Sequence, residues 1–210
     1  MILVSRKSHK EFRKKRKILE ASDFLRFSRI LLRSLREINP FPYNVLINFD
    51  NMIRIENTLL EELIAKAKTS PRRRQHHNLH KSYGEYLQRF LNAVEPGSYI
   101  RPHRHLSAGK TEIFVPLKGR FLVLIFNEKG DVIDHEMLVP SASPYLVEIA
   151  PETYHTVCSL ETGSVAFEIK DGPFDPAAAK DFATWAPEEG TPEADAYLRS
   201  IVLQTTGIVL

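Results

Sequence analysis

The chain has 210 residues and a single cysteine, Cys158, so no disulfide can form within it, and such sparing use of thiols fits a reducing compartment. No run of eighteen apolar residues occurs, which excludes a membrane-spanning helix. The N-terminus lacks an apolar stretch followed by a small-residue cleavage site, which argues against secretion. A cytoplasmic location is therefore the expectation. No segment repeats another, so one domain with one core is expected, with something extra attached.

A large charge of one sign is also missing from most of the chain. Residues 1–50 hold twelve Lys/Arg against five Asp/Glu, a net of +7, while the remainder holds seventeen against twenty-one, a net of −4. The mildly acidic larger part gives no sign of nucleic-acid binding. The basic excess starts as a run over residues 6–17 and continues into a helix-like stretch over 23–38. There Phe24, Phe27, Leu31, Leu35 and Ile38 share one face, opposite Arg26, Arg29, Arg33 and Arg36. Such a helix can lie on an anionic membrane, hold a partner, or pack its apolar face on the rest of the protein. Membrane contact is expected only if this segment belongs to the native protein. Asn39-Pro40-Phe41-Pro42 would interrupt continuous packing between the two parts.

Beyond residue 51 the pattern changes. Thr58-Leu59-Leu60-Glu61 has the spacing of a capping box and opens an apolar helical pattern that ends by Ser70-Pro71. Eight β-type runs follow, over 86–94, 98–105, 111–117, 120–127, 131–139, 145–149, 154–160 and 164–170. Turn signals such as Pro96-Gly97, Lys118-Gly119, Gly130 and Thr162-Gly163 separate them. This punctuation predicts a mainly β sandwich or jelly-roll barrel. Residues 121–126 are apolar throughout, so that strand is expected to be buried on both faces. A proline-rich loop follows from Gly172, then a short helix near 193–202.

Four side chains carry the chemistry. His103 and His105 lie two residues apart after a Pro-Gly turn, so on an extended strand they project to one side. Glu112 follows, and His155 enters a later strand. Three imidazoles and a carboxylate are a common donor set for borderline first-row metals, against the alternative of unrelated surface histidines. Mixed N/O donors do not choose among zinc, iron, manganese and nickel. Arg101 shares the parity of His103 and His105 and should face the same cavity. Cys158, three residues past His155, should point to the opposite face as a small buried residue.

Gly97, His103, His105, Glu112 and Gly119 resemble the first cupin motif, and His155 resembles the histidine of the second. Two departures stand out. Six residues separate His105 from Glu112, where three or four are usual, and Ala150 and Glu152 hold the usual proline and glycine places. Longer segments, including Arg72-Arg73-Arg74-Gln75-His76-His77-Asn78-Leu79-His80, Gln88 to Gly97, Gly172 to Pro176 and Phe182 to Gly190, resemble the WbuC family of cupin-fold metalloproteins. The resemblance runs from about Met52 to about Arg199. It implies a single cupin-type jelly-roll β-barrel with short N- and C-terminal helices and a bound divalent metal. It also implies an association with bacterial surface-polysaccharide (O-antigen) gene clusters.

It further implies a start near Met52, so that residues 1–51 are either an over-extended translation or a functional basic extension. The expected organisation is 1–51 extension, 52–199 cupin domain and 200–210 tail. Within the basic-histidine stretch, His80 and then His77 are the candidates for a catalytic acid or base. Arg74 and Asn78 are candidates for substrate contact, with Arg101, Lys110 and Tyr154 beside the ligands. A solvated basic loop with one packed histidine is the plain alternative. The resulting expectation is a metal-dependent enzyme acting on a sugar or sugar nucleotide by isomerisation, epimerisation or a related proton transfer. Alternatives are a non-catalytic sugar-binding or regulatory module and an iron-dependent dioxygenase. A sugar-type small molecule and a second copy in a homodimer are the expected partners.

Overall fold

Alternation along short strands, rather than long apolar runs, builds the two sheets of the computed structural model, which describes residues 52–106, 110–176 and 180–210. The basic helix expected over 23–38, and every other reading of 1–51, lies outside the described residues. In chain order the elements are α1 (Asn57–Thr69), β1 (Arg74–Asn78), β2 (Leu87–Val94), β3 (His103–Arg104), β4 (Glu112–Lys118), β5 (Phe121–Phe126), β6 (Val132–Leu138), β7 (Val147–Ile149), β8 (Tyr154–Ser159), β9 (Ser164–Asp171), β10 (Asp181–Phe182) and α2 (Pro192–Thr206). All belong to one unit spanning Arg54–Leu210. Among the described residues no helix is long and apolar enough to cross a membrane.

The strands form two five-stranded sheets, in the orders β1-β2-β9-β4-β7 and β10-β3-β8-β5-β6. Every recorded pairing is antiparallel. Hydrogen bonds thus draw two sheets rather than one continuous closed ring. Their inner faces share a core of Val94, Phe114, Phe121, Val123, Leu138, Ile149, Val157 and Ala166, residues drawn from both sheets. Gly119 turns β4 into β5 with φ of 74°, a left-handed conformation, and a Cβ there would meet the Ser164 Cα at 2.8 Å.

Each outer face carries a helix. Leu63, Ile64 and Ala67 of α1 pack on Leu91, Ala93 and Val165 of the first sheet. Ala194, Leu198, Ile201 and Val202 of α2 pack with Leu122, Leu124, Phe126 and Cys158 of the second. The run Phe121–Phe126 is therefore covered on both faces, as its uniform apolarity predicts. Cys158 lies on the outer face, and burial pushes its thiol up to about 12.

Several expectations need correction. The Thr58–Glu61 capping box does not form: Glu56 takes the N-cap position, two residues earlier, and Thr58 falls inside the first turn. The strand expected over 98–105 shrinks to His103–Arg104. β1 lies where a basic loop was expected, and β10 lies in the proline-rich segment. α2 is capped by the Thr191 side chain, which accepts from the Ala194 N–H at 3.2 Å, and it runs on to Thr206. The stretch from residue 200, expected as a tail, thus opens inside a helix.

Candidate metal centre and its cavity

Directly opposed residues of an antiparallel pair share a face. The registers Asn78–Phe90, His76–Asn92, Gln88–Lys170, Phe90–Glu168, Lys170–Glu112 and Glu168–Phe114 therefore place these side chains on one face of the first sheet. On the second sheet His103 opposes His155. The two faces meet at Glu112, whose Oε2 lies 3.2 Å from His105 Nε2 and 2.9 Å from His155 Nε2. One donor atom from each of His103, His105, Glu112 and His155 lies within 4.8 Å of the others, and all four residues are buried. Ligands about 2.0–2.2 Å from a shared ion need separations only slightly smaller.

Their surroundings suit a cation. The Nδ1 atoms of His103 and His155 face the backbone carbonyls of Arg101 and Thr153, each at 2.9 Å. A carbonyl can only accept, so the ring hydrogen sits on Nδ1 and Nε2 keeps its lone pair. Burial, reinforced by the nearby charge of Lys180, pushes the His103 imidazole well below its usual range and keeps it neutral. His155 Nε2 is buried and makes no hydrogen bond of acceptable direction, although Glu112 is only 2.9 Å away. Distance without alignment is what a lone pair aimed at a common centre leaves behind. The donor set therefore fits a divalent ion.

Glu112 is held from its other side. Lys170, its cross-strand neighbour, places Nζ 2.6 Å from Oε1 and 3.3 Å from Glu168 Oε1. Asn92 donates to Glu168 Oε2 at 3.2 Å. Desolvation alone would raise the Glu112 carboxyl, but the Lys170 ammonium, followed by the neighbouring Glu168 and His105, holds it well below the carboxylate range. Glu168 goes the other way: burial and the Glu112 charge push it to about 8. Burial works against the Lys170 ammonium, yet the two carboxylates outweigh it and keep Lys170 above its usual range.

A cavity of about 490 Å³ opens on this cluster, lined among others by His76, Asn78, His80, Gln88, Asn92, Glu168, Lys170 and Lys180. Of the residues expected at the site, His80, Asn78 and Arg74 line it together with His103, Glu112 and His155. Arg74 is already engaged: it reaches Glu189 at 2.6 and 2.7 Å and donates to the Tyr99 carbonyl at 2.9 Å. His80 is buried, its Nδ1 lies 3.1 Å from both the N–H and the carbonyl of Arg89, and its Nε2 has no partner.

Besides the donor His105, four expected residues do not line the cavity. His77 opposes Leu91 and so takes the outer face, where α1 packs. Arg101 donates to the Ala183 carbonyl at 3.0 Å, because 98–102 is not regular strand and parity does not carry through it. Lys110 donates to the Pro173 carbonyl at 2.6 Å. Tyr154 precedes His155 on β8, so it points outward, where it donates to Asp181 at 3.3 Å beneath Arg104. Sequence reasoning missed Lys170, Glu168, Asn92 and Gln88. Their signal is inverted alternation on β9, whose apolar Val165 and Phe167 face the helix and leave Glu168 and Lys170 inside.

A family model described as a domain of unknown function (DUF6016) matches residues 55–138. No curated protein matches the chain. Among solved structures, the capsular polysaccharide assembling protein CapF from Staphylococcus aureus is 19% identical over 51% of this chain and 28% of its own, with a TM-score of 0.44. KdgF from Halomonas sp. is 18% identical over 52% of this chain and 86% of its own, with a TM-score of 0.39. A cupin superfamily protein from Desulfitobacterium hafniense is 14% identical over 47% of this chain and 76% of its own, with a TM-score of 0.37. The chain spans under a third of the CapF chains it matches. TM-scores below 0.5 are too loose to assign a chemistry.

Proposed function

We propose that this is a metal-binding protein of cupin type, its two sheets forming a double-sheet jelly roll, and that it acts as an enzyme on a sugar or sugar nucleotide. The observation that carries the reading is the buried group of four donors opening onto a polar cavity. His103, His105, Glu112 and His155 would hold the ion. A bound divalent ion supplies Lewis acidity toward a carbonyl or hydroxyl oxygen. The chain's own residues supply the rest. Lys170 and Glu168 form an acid–base pair beside Glu112, suited to holding a proton during an isomerisation or epimerisation. Asn78, Gln88 and Asn92 offer amides to sugar hydroxyls, and Tyr83 and Phe174, whose rings lie 4.9 Å apart, form an apolar part of the wall. The setting in bacterial surface-polysaccharide synthesis rests on the WbuC resemblance, and assembly as a homodimer on the frequency of dimers among single-barrel cupins.

The test pairs elemental analysis of purified protein with exchange of solvent deuterium into a panel of nucleotide sugars. About one divalent ion per chain is expected, lost in His103→Ala, together with exchange into at least one sugar. Saturable sugar binding without exchange would replace the enzyme reading with a binding module. Iron together with oxygen consumption would replace it with a dioxygenase. Absence of any ion would remove the metal site.

A further inference from the structure

Resting on the metal-site reading above, we infer that the cavity takes a sugar bearing an anionic group, a carboxylate or a phosphate, and that Lys180 receives that group. The cations on the cavity wall are not equivalent. Lys170 lies between Glu112 and Glu168, at 2.6 and 3.3 Å, so its charge is matched. Arg74 is matched by Glu189 at 2.6 Å. Lys180 lines the same cavity and forms no ion pair among the described residues. Lys180 is an exposed residue of the cavity wall, and its charge bears on both His103 and Glu168. Desolvation and the charge of Lys170 pull it down to about 8, and an anionic group bound beside it would favour the charged form.

The sum of charges points the same way. With a divalent ion bound, the cavity would hold the ion's two charges and those of Lys170 and Lys180, against Glu112 and Glu168. A recess with a positive excess and low-dielectric walls concentrates anions. A second unmatched group lies in the same wall: His80 is 8% exposed, its Nδ1 lies 3.1 Å from both the N–H and the carbonyl of Arg89, and its Nε2 finds no partner in the protein. A neutral sugar would leave Lys180 with water alone, whereas an anionic oxygen matches it with a charge-assisted hydrogen bond.

Three probes that differ only at carbon 6 test this on the metal-loaded full chain: glucose, glucuronate and glucose 6-phosphate, titrated calorimetrically. At least one anionic probe is expected to bind about tenfold or more tightly than glucose, with affinity falling as salt rises. Lys180→Met should erase that preference and Lys180→Arg should keep most of it, while both variants retain the wild-type ion content. Carboxylate and phosphate are told apart by which probe gains. Equal affinity for all three probes, absence of binding by either anion, or a preference that survives in Lys180→Met would overturn the inference. Ion content measured on the same samples keeps this outcome separate from failure of the metal site itself.

Discussion

The space between the two sheets has a polar end and an apolar end, and the same strands supply both. Following the inward positions, β2 runs from Gln88, Phe90 and Asn92 to Val94, and β9 runs back from Lys170 and Glu168 to Ala166. β4 passes from Glu112 to Phe114, and β8 from His155 to Val157. At the apolar end Phe121, Val123 and Leu138 complete a closed core. At the polar end charged groups are buried in mutual contact around an opening. Burying a charge is costly unless it is paired, and a buried pair adds little net stability. The fold is therefore held by one end of each strand, which frees the other end to carry chemistry.

Two truncations test this division. Phe121 is 1% exposed and opposes Leu138 and Ser159, four positions along β5 from the partner of His155, roughly 13 Å away. Phe121→Ala should destabilise the protein by about 3–5 kcal/mol in denaturant melts, with metal affinity per folded molecule unchanged. His155→Ala should do the reverse. It removes an imidazole whose Nε2 has no hydrogen-bond partner, so the metal-free protein should lose less than about 2 kcal/mol, while metal affinity falls about 100-fold or more. The readout is the melting shift on adding the ion, large in the native chain and absent in the variant. Comparable losses of stability from both substitutions would show that the two ends do not differ in this way.

The same contrast explains what could be seen in the sequence. The apolar end announces itself: Phe121–Phe126 is apolar at every position and is buried on both faces. The four donors were legible because histidines and a glutamate at turn-bounded spacings are chemically distinctive, and the structure brings them together despite the six-residue gap before Glu112. Lys170 and Glu168 were hidden because a charged residue at every second position of a strand looks like a solvent-facing ladder. Only the register opposite Glu112, together with α1 covering the alternate positions, turns them inward. β1 was hidden for the same reason: Arg74 to Asn78 lacks apolar alternation, because one of its faces looks into the cavity. Parity misled at Arg101, since irregular backbone over 98–102 breaks the two-residue period; His77 was chosen from the family resemblance, and no strand was foreseen there that would turn it outward.

The smallest expected effect concerns the turn that hands His155 to the cluster. Glu152 takes φ of 60° at a place where the cupin pattern has glycine, and its N–H donates to the His105 carbonyl at 3.2 Å. The next residue, Thr153, supplies the carbonyl that holds His155 Nδ1. A side chain in the left-handed region costs about 1–2 kcal/mol, and glycine would remove that cost while adding about 0.5–1 kcal/mol of lost chain entropy. Glu152→Gly is therefore expected to stabilise the metal-free protein by about 1 kcal/mol or less, seen as a small rise in melting temperature, and to leave metal affinity within about twofold. The Glu152 side chain is exposed and makes no contact with the four donors, so nothing at the cluster depends on its carboxylate. A marked loss of metal affinity in this variant would instead mean that the strained backbone sets the positions of His105 and His155, and the polar end would then extend from the strands into the turn that joins them.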